Sequence, residues 1–152
     1  MQEPAADCLC STDMVYGRPE RTPVTTESQT RPIGPYGESK LESEILLRQL
    51  TEKTSIAITI FRPRLIAGNG RKGTIALLRN LIEHGLPVPI FGQGKNRYQM
   101  VAKEDVAHAI YQSIKLVASG TYNLGSDNPP EVRHLIANAI KAKRSKSWMI
   151  FF

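Results

Sequence analysis

The sequence is poor in cysteine. Only Cys8 and Cys10 occur among its 152 residues, which is too few for a disulfide framework. They form a Cys-x-Cys with no second pair, and His84, His108 and His134 are dispersed, so no metal site is expected. Two buried cysteines on or near a strand are expected instead. No apolar run approaches the about 18 residues that a membrane span needs. The first ten residues lack the basic start and long apolar stretch of a signal peptide, so cytoplasm is the expected location. There is no internal repeat. Acidic charge is in the minority, with 14 Asp and Glu against 20 Lys and Arg, a net charge of +6. The basic residues are scattered, with a denser run at Lys141, Lys143, Arg144 and Lys146. A solvated helix end accounts for that run. Without aromatic interleaving it does not read as a nucleic-acid surface. Neither nucleic acid nor a membrane is an expected partner.

What is present fits a globular chain. Apolar residues make up 41% and charged residues 22% of the sequence, ordinary values for a packed domain, and the length suits one domain. The pattern alternates strands and helices. Residues 1–7 read as a lead-in and 8–11 as a short strand. Residues 18–35, rich in Pro, Thr, Ser and Arg, read as a long loop arching over an active site, since loops of that length are often functional. A helix is expected over 36–51, with Leu41, Ile45 and Leu46 toward the core. Residues 55–61 are β-branched and strand-like, ended by Arg62-Pro63. A helix follows over 74–84, stopped by Gly85. Residues 88–91 are extended and 98–101 form a strand candidate. Asp105 is expected to cap a helix running to about 117. A strand and turn occupy 120–125. A last helix spans 131–143 after Pro129-Pro130.

One pair of residues carries most of the chemistry. Tyr36 and Lys40 stand four apart at the start of the first helix, so both side chains lie on one face. Free Tyr, with a pKa of about 10, is a poor base at neutral pH. A neighbouring cation favours the phenolate, so a phenol beside an ammonium can exchange a proton with a substrate hydroxyl or carbonyl. Upstream, Ser11-Thr12-Asp13-Met14-Val15-Tyr16-Gly17 reads as a strand end running into a loop. In open parallel sheets ligands bind at such strand ends.

Taken in order, the Ser-Thr-Asp cluster, Val15-Tyr16-Gly17, Pro35-Tyr36-x-x-x-Lys40, Phe61-Arg62-Pro63, Arg97 before a strand and the Asp105-Val106-Ala107 helix start resemble the extended short-chain dehydrogenase/reductase family. These are the NAD(P)-dependent epimerases and dehydratases, many acting on nucleotide sugars. The resemblance runs from about residue 9 to 140. It implies an α/β fold, a partial Rossmann-like (doubly wound) sheet together with part of the C-terminal substrate region. Residues 1–63 would form the catalytic part of the core, and 64–152 a mixed core and substrate-binding part of one domain. By resemblance Tyr36 is the acid/base. Lys40 tunes that phenol and binds the nicotinamide ribose, and Thr12 orients the substrate. Pro63 borders the nicotinamide. Asp13, Arg64, Arg97 and Gln99 face the substrate, with Arg97 placed for a phosphate and Gln99 beside it. The expected cofactor is NAD or NADP, and the expected small-molecule partner is a sugar or nucleotide sugar.

The sequence also departs from that family. No Gly-x-Gly-x-x-Gly precedes Thr12. Gly68-Asn69-Gly70 and Gly92-Gln93-Gly94 come late, without the acidic residue of a dinucleotide fingerprint. The chain therefore looks truncated, lacking the N-terminal dinucleotide-binding half. Weak or absent cofactor binding by this chain alone is expected, as is self-association through an exposed sheet edge. Met14 stands where the dehydratases carry a Glu, which disfavours their dehydration step because Met exchanges no proton. Leu65 stands near a position where nucleotide-sugar epimerases often carry a substrate-contacting Asn, which weakens the expectation of a nucleotide-diphosphate sugar. Three readings stay open: an NAD(P)-dependent epimerase, dehydratase or reductase of sugars, an inactive remnant, or an interaction protein.

Overall fold

The computed structural model describes residues 5–68 and 73–152. Residues 1–4 of the expected lead-in, and Asn69 and Gly70 of one glycine-rich stretch, lie outside the described residues. The elements run β1 (Ala6–Cys10), a 3-10 turn η1 (Asp13–Tyr16), α1 (Pro35–Lys53), β2 (Ala57–Pro63), β3 (Ile66–Ala67), α2 (Thr74–Glu83), β4 (Val88–Ile90), β5 (Val101–Ala102), α3 (Lys103–Lys115), β6 (Gly120–Leu124), α4 (Val132–Ala142) and β7 (Met149–Phe151). The fold is α/β, and the chain divides into two compact units, Met1–Ile66 with Met100–Gly125 and Ala67–Gln99 with Ser126–Phe152.

The first unit is built on a parallel sheet of order β1-β2-β6. Cys10 of β1 pairs with Phe61 of β2, and Pro63 of β2 with Leu124 of β6. All three strands therefore end along the same edge. Strand β2 is central and nearly all of it is buried, which is why, up to Arg62, it reads as the apolar and β-branched run expected of a parallel strand. Ile58, Ile60 and Phe61 join Val15, Val101 and Val106 in the core. Each such side chain contributes about 1.5–3 kcal/mol by leaving water. Arg62 and Pro63 belong to this strand rather than ending it.

A buried ion pair crosses this core. Glu44 of α1 is 1% exposed and Arg62 of β2 is 4% exposed. Arg62 Nε donates to Glu44 Oε1 at 3.0 Å and Nη2 to Oε2 at 2.5 Å, a two-pronged contact. Ser11 Oγ donates to Glu44 Oε1 at 2.6 Å, and Arg62 Nη1 donates to the Tyr16 hydroxyl at 2.8 Å. Burial is the largest influence on the Glu44 carboxyl and pushes its pKa up. Hydrogen bonds from Arg62 and Ser11, with the charges of Arg62 and Arg48, outweigh that push and hold it below the usual carboxylate value.

This pair corrects the expectation for α1. The helix buries Glu44 and Gly37, while Ile45 and Leu46 are exposed and Leu41 is only half-buried. The inward face is set by what Arg62 needs rather than by apolar periodicity. Helix α3 begins at Lys103, so Asp105 lies in the first turn, where it complements the helix dipole, rather than capping it. Of the strand candidate at 98–101 only Val101 is in a strand. Cys8 and Cys10 are free and half-buried rather than buried.

The second unit packs α2 and α4 on a two-stranded parallel sheet of β4 and β7. Ile82, Val88, Ile90 and Ile136 form its core, with Leu78, Leu81, Val132 and Met149 against them. Gly85, at φ 66°, reverses the chain after α2. The tail beyond α4 carries strand β7, for which its sequence offers no alternating pattern. Lys141, Lys143, Arg144 and Lys146 are exposed around the end of α4, and Lys143 pairs with Glu83 at 3.1 Å.

Glu44→Gln strands the Arg62 charge and is expected to cost about 3–5 kcal/mol in urea unfolding. The loss is also pH-dependent. Because the folded carboxyl titrates low, the pair's contribution is fully present above the unfolded Glu pKa of about 4.3. It fades as pH falls through the lower folded value, where both states bind the proton. The stability gap between wild type and Glu44→Gln should therefore shrink steadily below about pH 4. A gap that stays constant would remove Glu44 from the ionised pair.

Candidate active site

The edge where the parallel strands end gathers most of the residues singled out in the sequence. Thr12 lies two residues beyond β1 and caps the start of η1, with its buried hydroxyl accepting the Met14 N–H at 3.3 Å. Lys40 Nζ donates to the Cys10 carbonyl at 3.0 Å. Since Cys10 lies two residues before Thr12, the ammonium sits at the mouth of the strand that delivers the hydroxyl.

Gly37 explains how α1 reaches this edge. A Cβ at that position would stand 2.9 Å from the Met14 carbonyl oxygen and 3.0 Å from the Pro32 side chain. Only glycine lets the first turn of α1 seat against η1. Tyr36, its neighbour, is 53% exposed. Its phenol has no hydrogen-bond partner among the described residues. A buried anchor and an open phenol thus stand on one helix at four-residue steps. Tyr36, Lys40, Glu44 and Arg48 follow each other, and Arg48 Nη2 donates to the Thr121 hydroxyl of β6 at 2.8 Å.

Pro63 is buried as the last residue of β2. Arg64, just beyond it, binds the Asp13 carboxylate through Nη1 at 2.5 Å, linking the ends of β1 and β2. Asp13 and Arg64, two of the four residues expected to face substrate, are thus engaged with each other. Arg97 and Gln99 belong to the second unit. There Arg97 Nη1 donates to Asn128 Oδ1 and to the Pro129 carbonyl, each at 3.0 Å. Gln99 Nε2 donates to the Ser126 carbonyl at 2.9 Å, and its buried Oε1 has no partner among the described residues. Among the described residues no cluster of His, Cys, Asp and Glu could hold a metal. No helix among the described residues is long and apolar enough to cross a membrane.

Sequence reasoning missed Glu44 and Asn123, and it gave no role to Ser11 and Tyr16 although both stand in the motif after β1. The Tyr16 hydroxyl donates to Asn123 Oδ1 at 2.7 Å, and Asn123 Nδ2 donates to the Val24 carbonyl at 3.2 Å. A signal did exist. Arg62 interrupts an apolar strand, and a buried cation implies a buried anion. Glu44 is the acidic residue one turn past Lys40.

The residues present fit the ribose and ring side of a nicotinamide nucleotide. Lys40 offers an ammonium fixed by one hydrogen bond with two donors to spare, and Tyr36 offers a solvent-open phenol one turn before it on α1. For the pyrophosphate the sequence supplies no glycine-rich strand-to-helix turn.

Known proteins resemble this chain in sequence and in fold. The model of the NAD dependent epimerase/dehydratase family matches residues 3–125. The uncharacterised protein y4nG of Sinorhizobium fredii is 34% identical over 86% of this chain and 33% of its own length. A UDP-glucose 4-epimerase of Vibrio cholerae is 32% identical over 60% of this chain and 28% of its own. Among solved structures, a UDP-glucose 4-epimerase superposes with a TM-score of 0.83 at 21% identity, covering 97% of this chain and 51% of that one. A Pseudomonas aeruginosa RMD complexed with NADPH gives 0.83 at 22%, covering 96% and 54%. The chain thus spans about a third of the length of these curated relatives and about half of these solved chains. By the extent of the family match, the shared fold and the motifs at the strand ends, the chain belongs to the NAD dependent epimerase/dehydratase family.

Proposed function

We propose that this chain carries the catalytic and substrate-side residues of an NAD(P)-dependent oxidoreductase acting on a sugar, and specifically a nucleotide sugar, in the cytoplasm. The observation that supports this most is the Lys40 ammonium on the Cys10 carbonyl, which puts Thr12 and the Tyr36 turn of α1 at one strand edge. Thr12 would hold a sugar hydroxyl. Tyr36 would take the proton from that hydroxyl at its phenolic oxygen and return it when the carbonyl is reduced. Lys40 would orient the nicotinamide ribose while supporting the phenolate. The cofactor, when bound, supplies the hydride acceptor and donor. UDP-glucose 4-epimerase relatives favour a nucleotide sugar. Epimerisation or reduction fits better than dehydration. Met14 has no exchangeable proton, and Asp13 is already paired with Arg64.

Without a glycine-rich turn at a helix N-terminus, a bound pyrophosphate loses its backbone N–H cradle. The chain alone is expected to bind NADH or NADPH only weakly, which titration calorimetry will measure. A low-micromolar dissociation constant would contradict this.

When the chain is fused to or co-expressed with the glycine-rich half of a relative, Tyr36→Phe should lower hydride transfer by about 10²–10⁴-fold. Cofactor affinity should stay close to that of the unsubstituted fusion. Lys40→Ala should lower both. Full turnover in Tyr36→Phe would remove Tyr36 from the mechanism.

We further propose that the chain self-associates. Strand β1 is an edge strand, and Ile45, Leu46 and Leu50 are exposed on α1. Open edges pair with other chains. Sedimentation should show dimers or larger species, and a monodisperse monomer would count against this reading.

A further inference from the structure

The long segment between η1 and α1 contains no helix or strand, yet it is tied down at both its start and its middle. At its start, Gly17 adopts φ 63°, and a Cβ there would lie 1.8 Å from the Arg31 carbonyl oxygen. The two ends of the segment therefore abut, as in a closed surface loop. In the middle, the Val24 carbonyl accepts from Asn123 Nδ2 at 3.2 Å. The segment leaves through Gly34, the cap of α1 at φ 86°, directly into Pro35 and Tyr36.

The polarity of the hydrogen bonds fixes how the middle tie is made. A guanidinium can only donate, so Arg62 Nη1 makes the Tyr16 oxygen an acceptor. The Tyr16 proton then goes to Asn123 Oδ1 at 2.7 Å. That leaves Nδ2 of the same amide for the Val24 carbonyl, which can only accept. Each donor meets an acceptor, and a flipped amide would set Nδ2 against the Tyr16 hydroxyl and Oδ1 against a carbonyl. The direction thus runs from the buried Glu44–Arg62 pair, through Tyr16, to the backbone of the loop.

We propose that Asn123 and Tyr16 are positioning residues. Together they transmit the fixed geometry of the buried ion pair to the 17–34 loop, and the loop sets the aim of the Tyr36 turn. The catalytic part of this statement rests on the role assigned to Tyr36 above, whereas the tie itself does not. The relay is distinct from the contact of Gly37 with η1, which fixes where α1 starts. The relay holds the chain that feeds into that start.

Asn123→Asp separates the two ends of the tie. An aspartate still accepts from Tyr16 but cannot donate to Val24. Asn123→Leu loses both bonds. Trypsin provides a local reporter, because Arg18 and Arg31 are each followed by proline, leaving Arg21–Thr22 as the susceptible bond of the loop. Cleavage there follows the population of the open loop, so loss of one hydrogen bond should speed it by about fivefold in Asn123→Asp. The urea midpoint should fall only by what the loss of that one hydrogen bond implies, and a larger fall would mark general destabilisation instead. In protein carrying ¹³C-tyrosine, the Tyr36 ring signal, assigned through Tyr36→Phe, should shift or broaden in Asn123→Asp and more so in Asn123→Leu. Wild-type cleavage at Arg21 in Asn123→Asp would overturn the tie. Faster cleavage with an unmoved Tyr36 signal would overturn the positioning role. Neither readout uses substrate or cofactor. A Tyr36→Phe fusion that keeps full turnover would therefore defeat the catalytic reading while leaving the loop tie standing or falling on its own.

Discussion

The first unit is organised around one buried carboxylate. Glu44 stands where an amphipathic helix would put leucine, and Arg62 stands in the middle of a buried strand. Removing either charge from water costs several kcal/mol, on the order of what a small domain has to spare. The pair persists because all three guanidinium nitrogens and both carboxylate oxygens are engaged: Arg62 reaches Glu44 through two nitrogens and Tyr16 through a third, and Ser11 adds a bond to the carboxylate. An apolar contact between helix and strand could slide or rotate. A two-pronged contact between planar groups holds only one register of α1 on β2.

Two close approaches finish the placement. Gly37 lets α1 touch the Met14 carbonyl, and Gly17 lets the loop return to Arg31. Lys40 then meets a backbone carbonyl rather than a carboxylate. This matters for the chemistry proposed, since an ammonium neutralised by an acid would offer less to a phenol or a ribose. Arg64 shows the contrast. Its charge is spent on Asp13, so it is less suited to a substrate phosphate than its position after β2 suggests.

The shared helix face of Tyr36 and Lys40, the pair proposed as catalytic, was legible because four-residue spacing is local, and α1 spans both residues. Strand β2 was legible from its β-branched run, and α2 from its periodicity and Gly85. The misses share a different cause. Ile45 and Leu46 were assigned inward by hydropathy, but a partner 18 residues further along, Arg62, claimed the inward face for Glu44. Asn123 is joined to Tyr16 across 107 residues, and no local pattern announces such a contact. Strand β7 depends on pairing with β4 rather than on its own alternation. Asp105 was read as a cap because Asp favours caps, whereas Ala102 holds that position. Contacts that are fixed by a distant partner are the ones that local reading misses.

The four-residue stripe on α1 has a bearing on how such a chain can change over generations. Successive steps of four residues turn about 40° beyond a full circle, so Tyr36 and Arg48 swing outward at the two ends while Glu44 stays buried at the centre. A single inserted or deleted codon between 36 and 44 would rotate Tyr36 by about 100° relative to the ion pair. Length changes there meet a barrier that point substitutions do not. The helix register that the ion pair fixes also sets the direction of Tyr36, so selection against unfolded chains preserves that direction as well.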